Sequence, residues 1–290
     1  MSNAVRIAIL GGCGLLGKPL SGFLKSQGYD VFKIARKSID ADYNINVSDN
    51  NLLQATLLKI RPDYIINLVA VTSVDECEKN IPLAYKMHVE LNDNLKRYCK
   101  KHGTRVLHIS TDHFYEGNNS TEAELYPQNV YGLTKLMGER AFFECDSVIL
   151  RVNFFGKSQT EGRSSITDAM LTKVLQGVKI RLFNDVYFSP LSINSLCKYI
   201  CLVLSNWIPG IYNLGSKNGM NKEEFVIRFL NECGKKQISY ESVSINDSDL
   251  SAKRPRDMRM DVSLFERTYG CELPSLADEL KIVAREYCEE

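Results

Sequence analysis

Short, nearly all-apolar runs alternate along the first half of the chain with longer segments whose apolar positions recur at helical spacing. Residues 5–10 (VRIAIL) read as a buried strand, 15–27 as a helix, 31–35 as a strand and 51–60 as a helix behind the cap signal of Ser48 and Asp49. A strand at 64–69 (YIINLV) follows. Pro82 suits a first helical turn and opens a helix expected to run to Lys101 and stop at Gly103. After it come a strand at 105–109, a helix near 131–143 and a strand at 147–152 (SVILRV). Strands that are apolar throughout, with helices between them, predict a parallel sheet covered on both faces, a doubly wound α/β arrangement.

Beyond about Gly156 the alternation weakens: 158–165 (SQTEGRSS) reads as a polar loop, and 218–234 and 276–287 as isolated helices. Residues 211–214 (IYNL) are expected to return to the main sheet. The expected division is a first unit over 1–156 and a smaller, mixed lobe over 157–290, with segments at about 180–215 rejoining the first unit's sheet.

Composition acts mainly by exclusion. The 290 residues are 44% hydrophobic and 24% charged, and 36 Lys+Arg against 35 Asp+Glu leave a formal charge of +1, which argues against binding a polyanion through bulk charge. Nine cysteines, at 13, 77, 99, 145, 197, 201, 233, 271 and 288, form no CxxC pair and no short zinc-type spacing, so free thiols in a reducing compartment are expected. No carboxylate or thiol is spaced with the histidines as a metal site would need, and no metal is expected. The first strand-like run leaves no basic-then-apolar signal segment, and the longest apolar stretch, 200–204, is far short of the roughly 20 residues that span a bilayer. A cytoplasmic protein with neither membrane nor nucleic-acid partners is the expectation.

The first strand runs into Gly11-Gly12-Cys13-Gly14-Leu15-Leu16-Gly17, directly ahead of a helical pattern. The run reads as GxGxxG from Gly12 or as GxxGxxG from Gly11, and the physics is the same in both registers. Residues without Cβ allow a tight turn and let backbone N–H groups approach a pyrophosphate, which the positive end of the helix then favours. At the end of the second strand, where an acidic side chain would select NAD, stand Ala35, Arg36 and Lys37. Two cations there suit a 2′-phosphate, so NADPH is favoured, with NADH as the alternative.

Tyr131 and Lys135 lie four residues apart in a helical segment and share one face. An ammonium beside a phenol stabilises the phenolate, and this is expected to bring the tyrosine towards its working range as an acid or base. The fourth long strand ends at Ser110-Thr111-Asp112, whose hydroxyls can complete a hydrogen-bonding platform around the same reacting oxygen.

Together GGCGLLG, STD, YGLTK and LRVNFFG resemble the extended short-chain dehydrogenase/reductases, in the GxxGxxG register. Residues 61–67 (RPDYIIN), 72–75 (TSVD), 110–113 (STDH), 131–139 (YGLTKLMGE) and 254–257 (RPRD) narrow the resemblance to the group typified by dTDP-4-dehydrorhamnose reductase. It implies a Rossmann-like domain with a C-terminal substrate-binding lobe and an NADPH-dependent reductase of a nucleotide-activated 4-keto-6-deoxy sugar. Tyr131 would protonate the developing alkoxide, Lys135 would lower its pKa and bond the nicotinamide ribose, and Thr111 would orient the carbonyl. The matching cofactor positions are Gly11, Cys13, Gly14, Leu15, Leu16, Gly17, Arg36, Lys37, Asn46, Val47, Leu68, Val69, Ala70 and Ser110 together with Tyr131 and Lys135. Those facing the substrate are Thr72, Val74, Asp112, His113, Asn153 and Arg254. A homodimer is compatible with the resemblance.

The chain departs from the group around the sugar pocket. His113 stands where an aromatic phenol is common, Asn153 where the rhamnose reductases often carry Trp and epimerases Asn, and His88 where Asn is frequent in the wider family. His102 reads as a surface residue and His108 as a core or sheet-face one, while His88 and His113 are candidates for polar pocket residues. Two other readings remain: an epimerase or dehydratase of the same family that keeps NAD bound, and a non-catalytic regulatory subunit resembling that of methionine adenosyltransferase, which also carries a Tyr/Lys pair.

Overall fold

In the computed structural model, which describes residues 4–288, each apolar run has both of its faces covered. β1 (Arg6–Leu10) sends Ile7 and Ile9 into one core cluster and Ala8 and Leu10 into another. Around it lie β2 (Asp30–Ala35), β3 (Tyr43–Asn44), β4 (Tyr64–Asn67), β5 (Arg105–Thr111) and β6 (Ser147–Val152). The strand Gly210–Leu214 closes the other edge, giving the order Gly210–Leu214, β6, β5, β4, β1, β2, β3. Every pairing in this seven-stranded sheet is parallel. The order reverses between β1 and β4, the switch point at whose strand carboxyl ends open α/β sheets bind their ligands.

Covering helices begin with α1 (Gly17–Ser26), α2 (Asn50–Ile60), α3 (Val74–Lys79), α4 (Ile81–Tyr85), α5 (Leu91–His102) and α6 (Val130–Glu139). The helix expected from Pro82 to Lys101 is present over 81–102 and stops at Gly103, with one wide π turn, Lys86–Glu90, between α4 and α5. Its cause is visible in the contacts. Gly138 of α6 packs so closely on the His88 carbonyl that a Cβ there would overlap it, and His88 is held by bonds to two other segments. A π turn swings one residue out of helical phase, here directing the His88 ring at α6. Two other boundaries differ from the sequence expectation. α1 begins at Gly17 rather than residue 15, because residues 11–16 form the preceding turn, and α6 tightens into a 3₁₀ turn, Arg140–Glu144, after Glu139.

After β6 the chain forms helices absent from the sequence expectation, Ile166–Leu175 and Ile193–Ser205, the latter buried through Leu196, Ile200 and Val203 against the cluster behind α1. Helices Lys222–Glu232 and Leu276–Cys288 are not isolated, since Phe225, Phe229, Leu280 and Val283 share a third core. Strand Tyr187–Phe188 pairs antiparallel with Met220–Asn221 and parallel with Asp257–Met258. Among the described residues no helix is long and apolar enough to cross a membrane.

Candidate active site

The glycine turn sits at this switch point. Gly11 has φ +79°, a conformation that L side chains rarely adopt, and its N–H donates to Ile34 O at 2.9 Å. A Cβ on Gly12 would lie 2.9 Å from Lys33 Cα, and one on Gly17 would overlap the Gly11 carbonyl, so strand, turn and helix touch through bare backbone. α2, α3, α4 and α6 are capped by Asp49, Ser73, Asn80 and Asn129, whereas α1 has no side-chain cap at Leu16. Its leading amides lie at a helix N-terminus, the geometry that receives a phosphate. Leu68 and Val69, following β4, pack against Gly11. Leu16 is buried, while Cys13, Gly14, Leu15 and Ala70 are partly exposed. Arg36 and Lys37 are exposed just beyond β2. Val47 is buried beside exposed Asn46, whose Oδ1 accepts from the Ser48 N–H at 3.2 Å.

α6 brings Tyr131 and Lys135 to the end of β5. Asn129 caps the helix, with Oδ1 accepting from Gly132 N at 2.8 Å, and its Nδ2 donates to Lys253 O at 2.7 Å, tying the helix start to the late Arg-Pro segment. Lys135 is buried and donates through Nζ to Ile109 O at 2.8 Å. Burial pushes its pKa down to about 8, with Glu139 one turn on opposing the shift. The Tyr131 ring stands edge-on to two imidazoles, His88 at 5.7 Å and His113 at 5.4 Å between centroids. Burial raises the Tyr131 phenol to about 12, Asp112 and Cys77 add to the rise, and the Thr111 hydroxyl opposes it. The depression expected from Lys135 is not seen: desolvating a phenolate outweighs the Thr111 hydrogen bond, and the group is a proton donor at neutral pH.

Both histidines are neutral. Burial, and then the charge of Lys135, bring His88 down to about 3. Its Nε2 accepts from the Val71 N–H at 3.0 Å, which leaves the proton on Nδ1 to donate to Thr134 Oγ1 at 2.8 Å. His113 is also lowered to about 3, by burial and then by the charges of Lys222 and Arg254. His108 is a core residue, bonded to Asn67 and packed on Phe142, and His102 is exposed.

On the substrate side, Asp112 is fully buried and Asn153 Nδ2 donates to its Oδ2 at 2.8 Å. Arg254 bonds Asp75 Oδ2 at 2.8 Å, and Asp75 also accepts from Ser251 Oγ and Ala252 N, which hold it down to about 2. Val74 is buried at the start of α3 and Thr72 is exposed just before it. Ser110 points elsewhere: its hydroxyl donates to Glu139 Oε1 at 2.5 Å in a buried network with Arg151, which binds Glu139 Oε2 at 2.7 Å and Tyr115 Oη at 2.9 Å. That hydroxyl ties the end of β5 to α6.

Sequence reasoning missed Lys222, Glu139 and the π turn that aims His88. Only Asn221, a cap-type residue, signalled that Lys222 begins a helix; nothing in the spacing indicated that its ammonium faces Asp112 and His113.

Among protein families, the RmlD substrate binding domain matches residues 5–288. The chain is 26% identical over 284 residues to a Haloferax volcanii protein named as a probable low-salt glycan biosynthesis reductase, covering 94% of this chain and 95% of that one. It is 24% identical over 303 residues to the dTDP-4-dehydrorhamnose reductase of Aggregatibacter actinomycetemcomitans, covering 98% and 99%. In fold it resembles the crystal structure of dTDP-4-dehydrorhamnose reductase from Bacillus anthracis in complex with NADP, with a TM-score of 0.87, 24% identity, and 98% and 100% of the two chains covered.

Proposed function

This chain belongs to the RmlD substrate binding domain family, and on that premise we propose that it is an NADPH-dependent reductase of a nucleotide-activated 4-keto-6-deoxy sugar. Residues 1–156 mainly hold the dinucleotide and 157–290 mainly the substrate. The glycine turn, the uncapped start of α1 and the Arg36-Lys37 pair fit a dinucleotide carrying a 2′-phosphate. When bound, the reduced nicotinamide supplies the hydride that reaches the keto carbon.

The chain's own residues then do the rest. Tyr131 donates its phenolic proton to the carbonyl oxygen as that oxygen becomes an alkoxide. Thr111, beside the phenol, holds the same oxygen by a hydrogen bond. Lys135, four residues on along the same helix, supplies the positive charge that stabilises the phenolate once the proton has left. His88 and His113, being neutral, fix the ring from two sides without competing for its proton.

The observation that carries this reading is the Tyr131 ring held edge-on between His88 and His113, on the helix whose Lys135 donates to Ile109 O near the end of β5. The test is oxidation of NADPH with dTDP-, UDP-, GDP- and CDP-linked 4-keto-6-deoxy sugars, with NADH in parallel. Turnover with one of them supports the reductase. A purified protein carrying stoichiometric NAD would point to the epimerase or dehydratase, and silence across the panel with NADPH bound would favour a regulatory subunit.

A further inference from the structure

The polar loop beyond β6 is closed at its neck by one carboxylate. Asp168, in the first turn of helix Ile166–Leu175, accepts the Ser165 N–H on Oδ2 at 2.8 Å and the Ser158 N–H on the same oxygen at 3.2 Å, so both ends of residues 158–165 meet at one side chain. Its Oδ1 takes the Tyr287 hydroxyl at 2.6 Å, which ties the neck to helix Leu276–Cys288. Inside the loop Ser158 Oγ accepts from the Thr160 N–H at 3.2 Å, and the Arg163 N–H donates to Thr160 O at 3.1 Å. Thr160 is half-buried between exposed Gln159 and exposed Glu161. With its backbone engaged within the loop, its hydroxyl reaches outward: Oγ1 donates to Gly14 O at 3.1 Å, in the middle of the glycine turn.

Gly14 O also accepts the Lys18 N–H at 3.0 Å, one of the first bonds of α1. The same peptide group carries the Leu15 N–H, which among the described residues no backbone oxygen accepts, at the start of a helix without a side-chain cap. A hydroxyl donating to a carbonyl that already has one partner polarises the peptide and strengthens its N–H as a donor, because linked hydrogen bonds reinforce one another. It also fixes the plane of that peptide, so less freedom is lost when an anion arrives.

We propose that Thr160 is a positioning residue for the dinucleotide: docked through its hydroxyl on Gly14 O, the 158–165 loop sets the Gly14–Leu15 peptide to receive a phosphate. This rests on the reading that the glycine turn binds NADPH, and it links the cofactor to a segment beyond β6. Coupling of this kind is reciprocal, so a bound dinucleotide holds the loop down by the same factor that the loop adds to dinucleotide affinity. Because the contact is made to the turn and not to a 2′-phosphate, NADPH and NADH feel it equally.

The test is fluorescence titration of the full chain with NADPH and NADH in wild type, Thr160→Val and Thr160→Ser, joined to trypsin digestion read at exposed Arg163 with and without NADPH. Loss of one hydroxyl-to-carbonyl bond should weaken both nucleotides in Thr160→Val by a common factor of about two- to tenfold, while Thr160→Ser, which keeps the hydroxyl, stays within about twofold of wild type. Proteases act on the opened loop, so NADPH should slow cleavage after Arg163 in wild type and slow it less in Thr160→Val. Affinities unchanged in Thr160→Val overturn the inference and keep the dinucleotide reading, and so does a loss that Thr160→Ser shares in full or a wild-type cleavage rate that NADPH leaves unaltered. A wild type that binds neither nucleotide overturns both. Affinity that depends on Thr160 without turnover of any keto sugar keeps the inference and rejects the reductase.

Discussion

Asn153 donates from Nδ2 to Oδ2 of Asp112 at 2.8 Å, and this bond helps keep a fully buried carboxyl ionisable at the end of β5. Burial pushes Asp112 from its ordinary 3.8 up to about 6, while Asn153, Lys222 and Thr111 pull it back. The folded state therefore holds this proton more tightly than the unfolded chain. Below about pH 4 both states are protonated and there is no penalty; stability declines as the pH rises through about 6, by on the order of 3 kcal/mol for this group. Asp112→Asn should lack that decline, and Asn153→Ala should move its upper end above pH 6. Thermal unfolding of the three proteins from pH 4 to 8 measures this, and parallel curves for wild type and Asp112→Asn would show that Asp112 titrates as an ordinary carboxyl.

Tyr131→Phe removes the proposed donor and leaves the ring between His88 and His113. Turnover should fall about 10²- to 10⁴-fold, the usual worth of a positioned general acid, while NADPH affinity changes little. Because the phenol's pKa is raised to about 12, wild-type reduction should show no loss of activity near pH 10 that Tyr131 itself causes. Steady-state kinetics with cofactor titration would check both, and a variant retaining wild-type turnover would remove Tyr131 from the mechanism.

Much of this site was legible before the structure because it depends on local pattern. β1 is apolar from Ile7 to Leu10 since both faces are covered, and Gly17 is required by its contact with Gly11 and Gly12 a few residues away. Tyr131 and Lys135 share a face through helical spacing alone. The π turn at Lys86–Glu90 was not legible, because α and π turns carry the same kinds of residue and the difference comes from Gly138, some fifty positions on. Lys222 stayed hidden for the same reason: its meaning lies in Asp112 and His113, about a hundred residues earlier. Helix Ile193–Ser205 has a regular buried stripe, Ile193, Leu196, Cys197, Ile200, Val203 and Leu204, so its helical period lies in the local pattern and was legible too.

Arg36→Ala should separate the two cofactors. A guanidinium reading a 2′-phosphate makes charge-assisted bonds of roughly 1.5–3 kcal/mol, so NADPH should bind about 10- to 100-fold more weakly while NADH is nearly unaffected. Arg36 is exposed, so its replacement leaves the fold undisturbed, and fluorescence titration with each nucleotide gives the answer. Equal losses for both would mean that Arg36 does not read the 2′-phosphate.

Arg151 and Glu139 form a buried pair beneath α6, with side chains 2% and 0% exposed. Removing one partner strands the other charge away from water, so Arg151→Met should cost about 3–5 kcal/mol, whereas replacing both with apolar residues should cost less than the single change. The pair also reaches the chemistry, since Glu139 raises the pKa of Lys135. Glu139→Gln should therefore let Lys135 fall below about 8, so that the ammonium loses its proton at lower pH and the alkaline limb of kcat moves down the pH scale. Unfolding free energies separate the structural effect from the catalytic one. A Glu139→Gln enzyme with reduced stability but an unmoved alkaline limb would confine the pair to holding the floor of the site.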